Sequence, residues 1–252
     1  MDVHFQQIRA INTLTSETVE QLANSGFTSV PGPFFGSNLR HQAQTYDQVM
    51  ALGAGPDFKV GSTTTRMSDL LSHSSVFDEI LLYPPLLEAC AQVIGEPFKL
   101  SAFLGRTLRG ETPAQELHTD LPRDSEDAPL FAFILMVDAF HKENGATRFV
   151  PGSHAWPDFP ADQHSGARKK YPSEILSCGD AGTMILFNGA IWHGHAANIT
   201  AKSRRSIQGY FVRRNARSAF DFSDRLPLTA RARLGHLAGY LLSVDDLVPG
   251  SP

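Results

Sequence analysis

Apolar residues in the first hundred positions recur mainly at the three- and four-residue spacing of amphipathic helices. Thr15 or Ser16 can cap the first helix, and Gly26 supplies its stop. Pro85 suits the first turn of a later helix, which Gly95 ends. Helices are predicted at 15–25, 37–52, 74–83 and 85–94, with a short strand at 27–30 and a glycine-rich loop at 53–65.

After Pro97 the pattern changes to short apolar runs separated by Gly, Pro and Asn turns. The run 130–137 is apolar throughout, as in a strand that is buried on both faces. Strands are predicted at 99–108, 130–137, 145–150, 183–187 and 206–212, and a last helix at 228–242. Several short strands at this spacing favour a β-sandwich or a double-sheet jelly roll.

The predicted fold class is therefore mainly β with flanking helices. No linker-like composition separates the helical and β parts, so we predict a single domain over residues 1–252. It divides into a helical part at 1–97, a β core at about 98–213 and a C-terminal helical segment at 214–252.

Composition narrows the possible partners of the chain. Its 252 residues are 42% hydrophobic and 19% charged, with a net charge of −4, which gives no reason to expect a nucleic acid or an anionic membrane as partner. Two cysteines give no disulfide framework and fit a reducing, cytoplasmic location. The sequence shows no apolar signal segment and no run of about 18 apolar residues, so we predict neither a secretory signal nor a membrane span.

The chemistry of the chain is predicted to centre on His118 and Asp120. Residues two apart on a strand project to the same side, so the imidazole and the carboxylate would share a face. Together they supply two-thirds of the 2-His-1-carboxylate triad that binds non-haem Fe(II). His-x-Asp alone is a weak signal, because many unrelated sequences match it.

Candidates for the remaining groups lie far along the chain. His193 comes 75 residues after His118, at the rim of the predicted β core, and His195 is an alternative third ligand. Arg204 follows where the next strand should begin, and its guanidinium can bind a carboxylate bidentately. The adjacent Arg205 would face the other way in a strand, so only one of the two can reach the site.

These residues fall into ordered motifs: His118-Thr-Asp120, Glu143-Asn-Gly-Ala-Thr-Arg-Phe-Val-Pro-Gly-Ser-His154, Gly179-Asp180 and His193-Gly-x3-Asn198-x5-Arg204. In this order they resemble the phytanoyl-CoA dioxygenase family of Fe(II)/2-oxoglutarate oxygenases. The resemblance implies a double-stranded β-helix, a cupin-like jelly roll, with iron at one open end. It also favours His193 over His195 as the third ligand, because of the spacings to Asn198 and Arg204.

The resemblance implies that His118, Asp120 and His193 bind Fe(II) and that Arg204 pairs with the distal carboxylate of 2-oxoglutarate. His195 stands where family members often carry a small hydroxyl residue near this cosubstrate, so it is a candidate neighbour of 2-oxoglutarate. In this family O2 converts 2-oxoglutarate to succinate and CO2 while a C–H bond of the substrate is oxidised. Because halogenating relatives have a small residue in place of Asp120, the resemblance implies hydroxylation or a related oxidation rather than halogenation.

The residues do not identify the substrate. We expect a small metabolite, in specialised-metabolite biosynthesis, and a pocket lined in part by Phe103 and Trp192, with Phe131 and Phe133 in the core. Two alternatives remain open: a cupin-like metal-dependent isomerase or epimerase, and a non-catalytic ligand-binding protein, neither of which would use 2-oxoglutarate.

Overall fold

Two antiparallel sheets form the β core of the computed structural model, which describes residues 2–53, 55–157 and 171–244. The strands are β1 (Phe27–Pro31), β2 (Phe58–Val60), β3 (Thr64–Ser68), β4 (Phe98–Leu108), β5 (Leu130–Met136), β6 (Thr147–Phe149), β7 (Ile175–Ser177), β8 (Thr183–Asn188), β9 (His193–His195) and β10 (Arg204–Arg213). The larger sheet has the order β1-β8-β5-β10-β4-β3-β2, and the smaller sheet has the order β7-β6-β9.

Helices flank this core at both ends of the chain. They are α1 (Val3–Arg9), α2 (Ser16–Ser25), α3 (Gly36–Ala51), α4 (Asp78–Leu81), α5 (Pro84–Ile94), α6 (Phe222–Arg225), α7 (Leu228–Arg233) and α8 (His236–Leu242). The Thr15 hydroxyl caps α2 by accepting from the backbone N–H of Thr18 at 3.2 Å, and Gly26 ends that helix with a φ of +83°. No helix among the described residues is both long enough and apolar enough to cross a membrane.

The central strand β5 of the larger sheet is buried on both faces. On β5, Phe131, Phe133 and Leu135 join the cluster that packs against the helices. The alternate residues Ala132, Ile134 and Met136 join a second cluster. That cluster also contains Phe149 of the smaller sheet, so it fills the space between the two sheets. The unbroken apolar run of this strand therefore follows from its position between two apolar layers.

Alternation along β10 directs one set of side chains into the space between the sheets. Arg204, Gln208 and Tyr210 line a cavity there, whereas Ile207 and Phe211 pack on the helix side. On the neighbouring strand a β-bulge between the pairs Tyr210–Ala102 and Phe211–Leu100 inserts Ser101. As a result, Leu100 and Phe103 of β4 both belong to the helix-side cluster, and Ala102 lines the cavity.

The sequence-based elements are confirmed in most cases, with differences at short elements. The predicted loop 53–65 contains β2 and the start of β3, which pair as an antiparallel extension of the larger sheet. The predicted helix 74–83 is a 3-10 turn, Ser75–Phe77, followed by α4. The predicted helix 228–242 is interrupted at Leu234 and Gly235, where extended backbone separates α7 from α8.

Other elements that were not predicted include α1, β7 and β9. Both strands have only three residues and exist through pairing with β6, so neither carries a periodic pattern of its own. Residues 245–252 of the predicted C-terminal segment lie outside the described residues.

Candidate metal centre

His118, Asp120 and His193 converge at one end of the space between the sheets. One ligand atom from each lies within 4.8 Å of the others. His193 Nε2 lies 3.6 Å from Asp120 Oδ2, and the two imidazole ring centroids are 4.4 Å apart. Residues that are distant in sequence are therefore brought together as the sequence motifs predict.

Backbone hydrogen bonds hold both histidines in place. His118 forms an antiparallel bridge with His193 of β9, and Asp120 donates its backbone N–H to the carbonyl of Gly189 at 2.8 Å. Gly194 is needed beside this bridge, because a Cβ atom there would lie 3.0 Å from the carbonyl oxygen of Glu116.

Each imidazole presents the same nitrogen to the centre. Nδ1 of His118 donates to the carbonyl of Glu116 at 3.1 Å, and Nδ1 of His193 donates to that of Ile191 at 3.0 Å. This tautomer leaves Nε2 of both rings as a lone-pair donor. Burial lowers the pKa of His193 to about 4, and burial together with His193 lowers the pKa of His118, so both rings are neutral at pH 7.

The donor set fits a divalent cation such as Fe(II). Asp120 Oδ2 is buried and accepts no hydrogen bond from the described residues, which is costly for a carboxylate without a cation. Burial raises the pKa of Asp120, while His118, Arg106 and Arg66 oppose this rise. Two neutral imidazoles and one carboxylate on one side of a cavity are the ligand types of non-haem iron sites.

Arg204 enters the same cavity from the first position of β10. Its side chain is 2% exposed, its Cζ lies 3.9 Å from the ring centroid of Phe140, and its Nε and Nη1 are buried without hydrogen-bond partners among the described residues. Burial and Arg106 lower its pKa to about 9, so it is charged at neutral pH. A buried guanidinium with free donors has the geometry to bind a carboxylate bidentately.

Arg205 points to the other face of β10, as predicted. It pairs with Asp138 at 2.6 Å and with Asp47 of α3 at 2.6 Å, which ties the helical layer to the sheet.

His195 lies on β9, two residues beyond His193, and lines the cavity. Its Nδ1 donates to the carbonyl of Ala196 at 2.9 Å. It is not part of the close triad. Thr147 of β6 is its direct cross-strand partner and also lines the cavity, so a hydroxyl is present beside His195.

Several lining residues were not predicted from the sequence. The cavity measures about 300 Å³, and its additional polar lining residues are Arg66, Arg106, Gln115, Thr147, Gln208 and Tyr210. Gln208 and Tyr210 carry a detectable signal, since they follow Arg204 at even spacing on a strand. Arg106 can also be recognised as a charged residue within the predicted strand 99–108. The side of the strand to which it points, however, depends on the bulge in β4.

The prediction that Phe103 and Trp192 line the pocket is wrong. Phe103 is on the helix side of β4, and Trp192 packs in a separate cluster with Leu117 and Val150. Phe131 is core, as predicted, whereas the buried Phe133 also borders the cavity.

The remaining motif residues hold the segments that carry the site. Asn198 is fully buried and donates to the carbonyls of Arg109 and Lys202, which shapes the turn before β10. Ser153 accepts from the backbone N–H of Trp192 at 2.8 Å, immediately before His193. Asn198 and Ser153, which belong to the ordered motifs, therefore stabilise the backbone around the cavity.

The ion pair of Arg148 with Glu174 has the same role. The two side chains are 3% and 7% exposed and 3.1 Å apart, and Arg148 also donates to the carbonyl of Gln115 at 2.6 Å. The pair therefore anchors the segment that leads to His118.

The fold and the site define a jelly-roll protein with a candidate 2-His-1-carboxylate metal centre. The family model for phytanoyl-CoA dioxygenase (PhyH) matches residues 35–206, and the chain belongs to this family. Both the predicted family and the predicted jelly roll are thereby confirmed.

Curated relatives carry the name dioxygenase. Dioxygenase sphC of Aspergillus fumigatus is 32% identical over 164 residues, which cover 59% of this chain and 43% of sphC. Dioxygenase trt7 of Aspergillus terreus is 32% identical over 185 residues, which cover 67% of this chain and 62% of trt7. The chain spans about half the length of the curated relatives it matches.

Solved structures share the fold. HygX from Streptomyces hygroscopicus, with nickel and 2-oxoglutarate bound, superposes with a TM-score of 0.67 at 20% identity, over 82% of this chain and 90% of HygX. A HygX structure that also holds hygromycin B gives a TM-score of 0.65 at 19% identity, over 81% of this chain and 90% of HygX. EctD from S. alaskensis with bound Fe gives 0.64 at 15% identity, over 79% of this chain and 77% of EctD.

Proposed function

We propose that this chain is a non-haem Fe(II)- and 2-oxoglutarate-dependent dioxygenase that hydroxylates a C–H bond of a small metabolite and releases succinate and CO2. The observation that carries the proposal is the cluster of His118, Asp120 and His193, whose ligand atoms lie within 4.8 Å of one another. Membership of the phytanoyl-CoA dioxygenase family supports it.

In this proposal Nε2 of His118, Nε2 of His193 and a carboxylate oxygen of Asp120 hold the iron. The backbone bridge between the histidines fixes the separation of their rings, so the ligands are ordered before metal binding. Three protein ligands on one side leave the remaining positions for 2-oxoglutarate and O2. When bound, the iron, 2-oxoglutarate and O2 supply the oxidising power for C–H oxidation.

Arg204 is proposed to bind the distal carboxylate of 2-oxoglutarate, and His195 to lie beside the cosubstrate. The free donors of Arg204 and their burial support this role, because a buried, charged guanidinium is stabilised by an anionic partner. HygX binds 2-oxoglutarate with nickel in its crystal structure, and it also binds hygromycin B, which supports a small-molecule substrate for this chain. Specialised-metabolite biosynthesis and a cytoplasmic location stay predictions.

The test uses protein that is purified anaerobically and loaded with Fe(II). Wild-type protein should bind stoichiometric iron and convert 2-oxoglutarate to succinate when O2 is admitted. His118→Ala and Asp120→Ala should abolish both iron binding and succinate formation, because each removes one of three ligands. His141→Ala is the matched control, since His141 is exposed and its ring lies outside the cavity. Undiminished turnover in both ligand variants would overturn the proposal.

A further inference from the structure

Three arginines line the cavity that contains the candidate metal centre. They are Arg66, Arg106 and Arg204, and Asp120 is the single carboxylate among the described lining residues. None of the three arginines has a carboxylate oxygen within 4.0 Å in the described part of the chain. By contrast, Arg205, which follows Arg204 on β10, pairs with Asp138. The lining of the cavity therefore carries more positive than negative side chains.

Arg66 and Arg106 are direct cross-strand partners on β3 and β4. Like charges that lie directly opposite each other destabilise an antiparallel pair. Nε of Arg106 is buried without a hydrogen-bond partner among the described residues, and its Nη2 makes only a long contact, 3.5 Å, with Oε1 of Gln115. Burial and the neighbouring Arg66 lower the pKa of Arg106, which reflects the same repulsion.

The charge of this cavity is not balanced by iron and cosubstrate. Three arginines against Asp120 leave an excess of two positive charges when the histidines are counted as neutral. Under the proposed function, Fe(II) adds two positive charges and the 2-oxoglutarate dianion removes two. Arg204 serves the cosubstrate, so the pair Arg66–Arg106 stays uncompensated until a further anion binds.

We propose that Arg106, together with Arg66 at the rim, binds a carboxylate of the substrate, so that the enzyme oxidises a small carboxylic acid. Arg66 is exposed, whereas Arg106 lies deeper in the cavity. The two guanidinium groups therefore lie one after the other between the cavity entrance and Asp120. A cavity of about 300 Å³ that also receives 2-oxoglutarate favours a short acid. This substrate class rests on the proposed function of the same site.

The binding test uses the anaerobic Fe(II)–2-oxoglutarate protein and short aliphatic and aromatic acids, each with its primary amide and a phosphate monoester of similar size. Acids should perturb the visible charge-transfer absorption of the iron–2-oxoglutarate complex and accelerate succinate formation, whereas amides should not. Arg106→Gln should weaken acid binding about 100-fold, because a buried charged partner is lost. The half-saturating concentration of 2-oxoglutarate should stay that of wild type.

The matched control is Arg213→Gln, on β10 but outside the cavity lining. It should leave the binding of both acid and cosubstrate unchanged. Equal binding of acids and amides would overturn the proposal, and a preference for phosphate monoesters would overturn the carboxylate assignment. An effect of Arg106→Gln on 2-oxoglutarate as large as that of Arg204→Met would assign the pair to the cosubstrate instead.

A second measurement does not depend on iron or turnover. Arg106→Met should raise the thermal midpoint of the metal-free protein by about 2–4 °C, because it removes repulsion from Arg66. A structural arginine would give the opposite sign, and a lowered midpoint in Arg106→Met and Arg106→Gln alike would overturn the proposal. If wild-type protein bound no iron, the proposed function would fail, yet stabilisation of the metal-free protein by acids over amides would still test the arginine pair.

Discussion

His118 and His193 are joined backbone to backbone: each donates its N–H to the carbonyl oxygen of the other, both at 2.9 Å. This bridge holds the backbones of the two residues side by side, although they are 75 positions apart in the sequence. Preorganised ligands avoid the entropy cost of ordering two side chains when a metal binds.

The bridge depends on the missing side chain of Gly194. In Gly194→Val the new Cβ atom would lie 3.0 Å from the carbonyl oxygen of Glu116 and 3.3 Å from that of Gln115, so the two segments must separate. We expect iron affinity to fall about 10-fold or more, measured by anaerobic Fe(II) titration.

The control for this prediction is Gly235→Ala, where a Cβ atom meets nothing within 4 Å and the backbone is extended. That variant should bind iron like wild type. Wild-type iron affinity in Gly194→Val would mean that the close approach of the segments is not what positions the histidines.

Arg204 and Arg205 separate the proposed activity from its alternatives. Arg204→Met should raise the half-saturating concentration of 2-oxoglutarate about 100-fold, because it removes a buried charged donor of the proposed cosubstrate site. Arg205→Met should leave that concentration unchanged, since Arg205 pairs with Asp138 and Asp47 on the opposite face of β10. Steady-state succinate formation gives both values. Identical 2-oxoglutarate dependence in the two variants would mean that Arg204 does not bind the cosubstrate. Absence of succinate formation by the wild-type protein would favour a metal-dependent isomerase or a non-catalytic binding protein.

Substitutions also distinguish His193, the proposed iron ligand, from His195, the proposed neighbour of 2-oxoglutarate. His193→Ala should lose iron binding, because Nε2 of His193 is one of the three clustered ligand atoms. His195→Ser should keep iron binding, since His195 is outside the cluster, and should change chiefly the dependence on 2-oxoglutarate. Iron content after anaerobic gel filtration measures the difference. Loss of iron from His195→Ser with retention in His193→Ala would reverse the assignment.

The buried ion pair between Arg148 and Glu174 is expected to stabilise the site region. Glu174→Gln should lower the free energy of unfolding by about 2 kcal/mol, because it replaces the charged acceptor of a buried, charge-assisted hydrogen bond by a neutral one. Asp47→Asn removes one of the two carboxylate partners of Arg205, at a position that is 60% exposed, so it should cost less than about 1 kcal/mol. Urea unfolding of both variants measures the two values. Equal losses would show that burial does not decide the strength of these pairs.

Much of the fold could be predicted because the pattern of each long element reflects its surroundings. The run in β5 is apolar at every position since both faces of that strand are covered. Short elements escaped prediction for the opposite reason. Three residues of β9 carry no periodicity, and they form a strand only because β6 lies beside them.

For the candidate site, spacing and the family resemblance indicated which residues belong together. They did not indicate Arg106, which in the sequence is a single charged residue within a predicted strand. The bulge at Ser101 determines the side of β4 to which Arg106 points. The role of Arg106 is inferred from Arg66, which lies directly opposite on β3. The prediction that Phe103 lines the pocket failed for the same reason, since its side chain points toward the helices.

The sequence by itself determined the local relations: that His118 and Asp120 share a side and that Arg204 and Arg205 do not. Those relations follow from backbone geometry over one or two residues. Only the tertiary structure decided that His193 lies against His118, that Arg106 faces Arg66, and that the cavity carries excess positive charge. The reason is physical: sheet register pairs residues by long-range packing and hydrogen bonding, which no local pattern encodes.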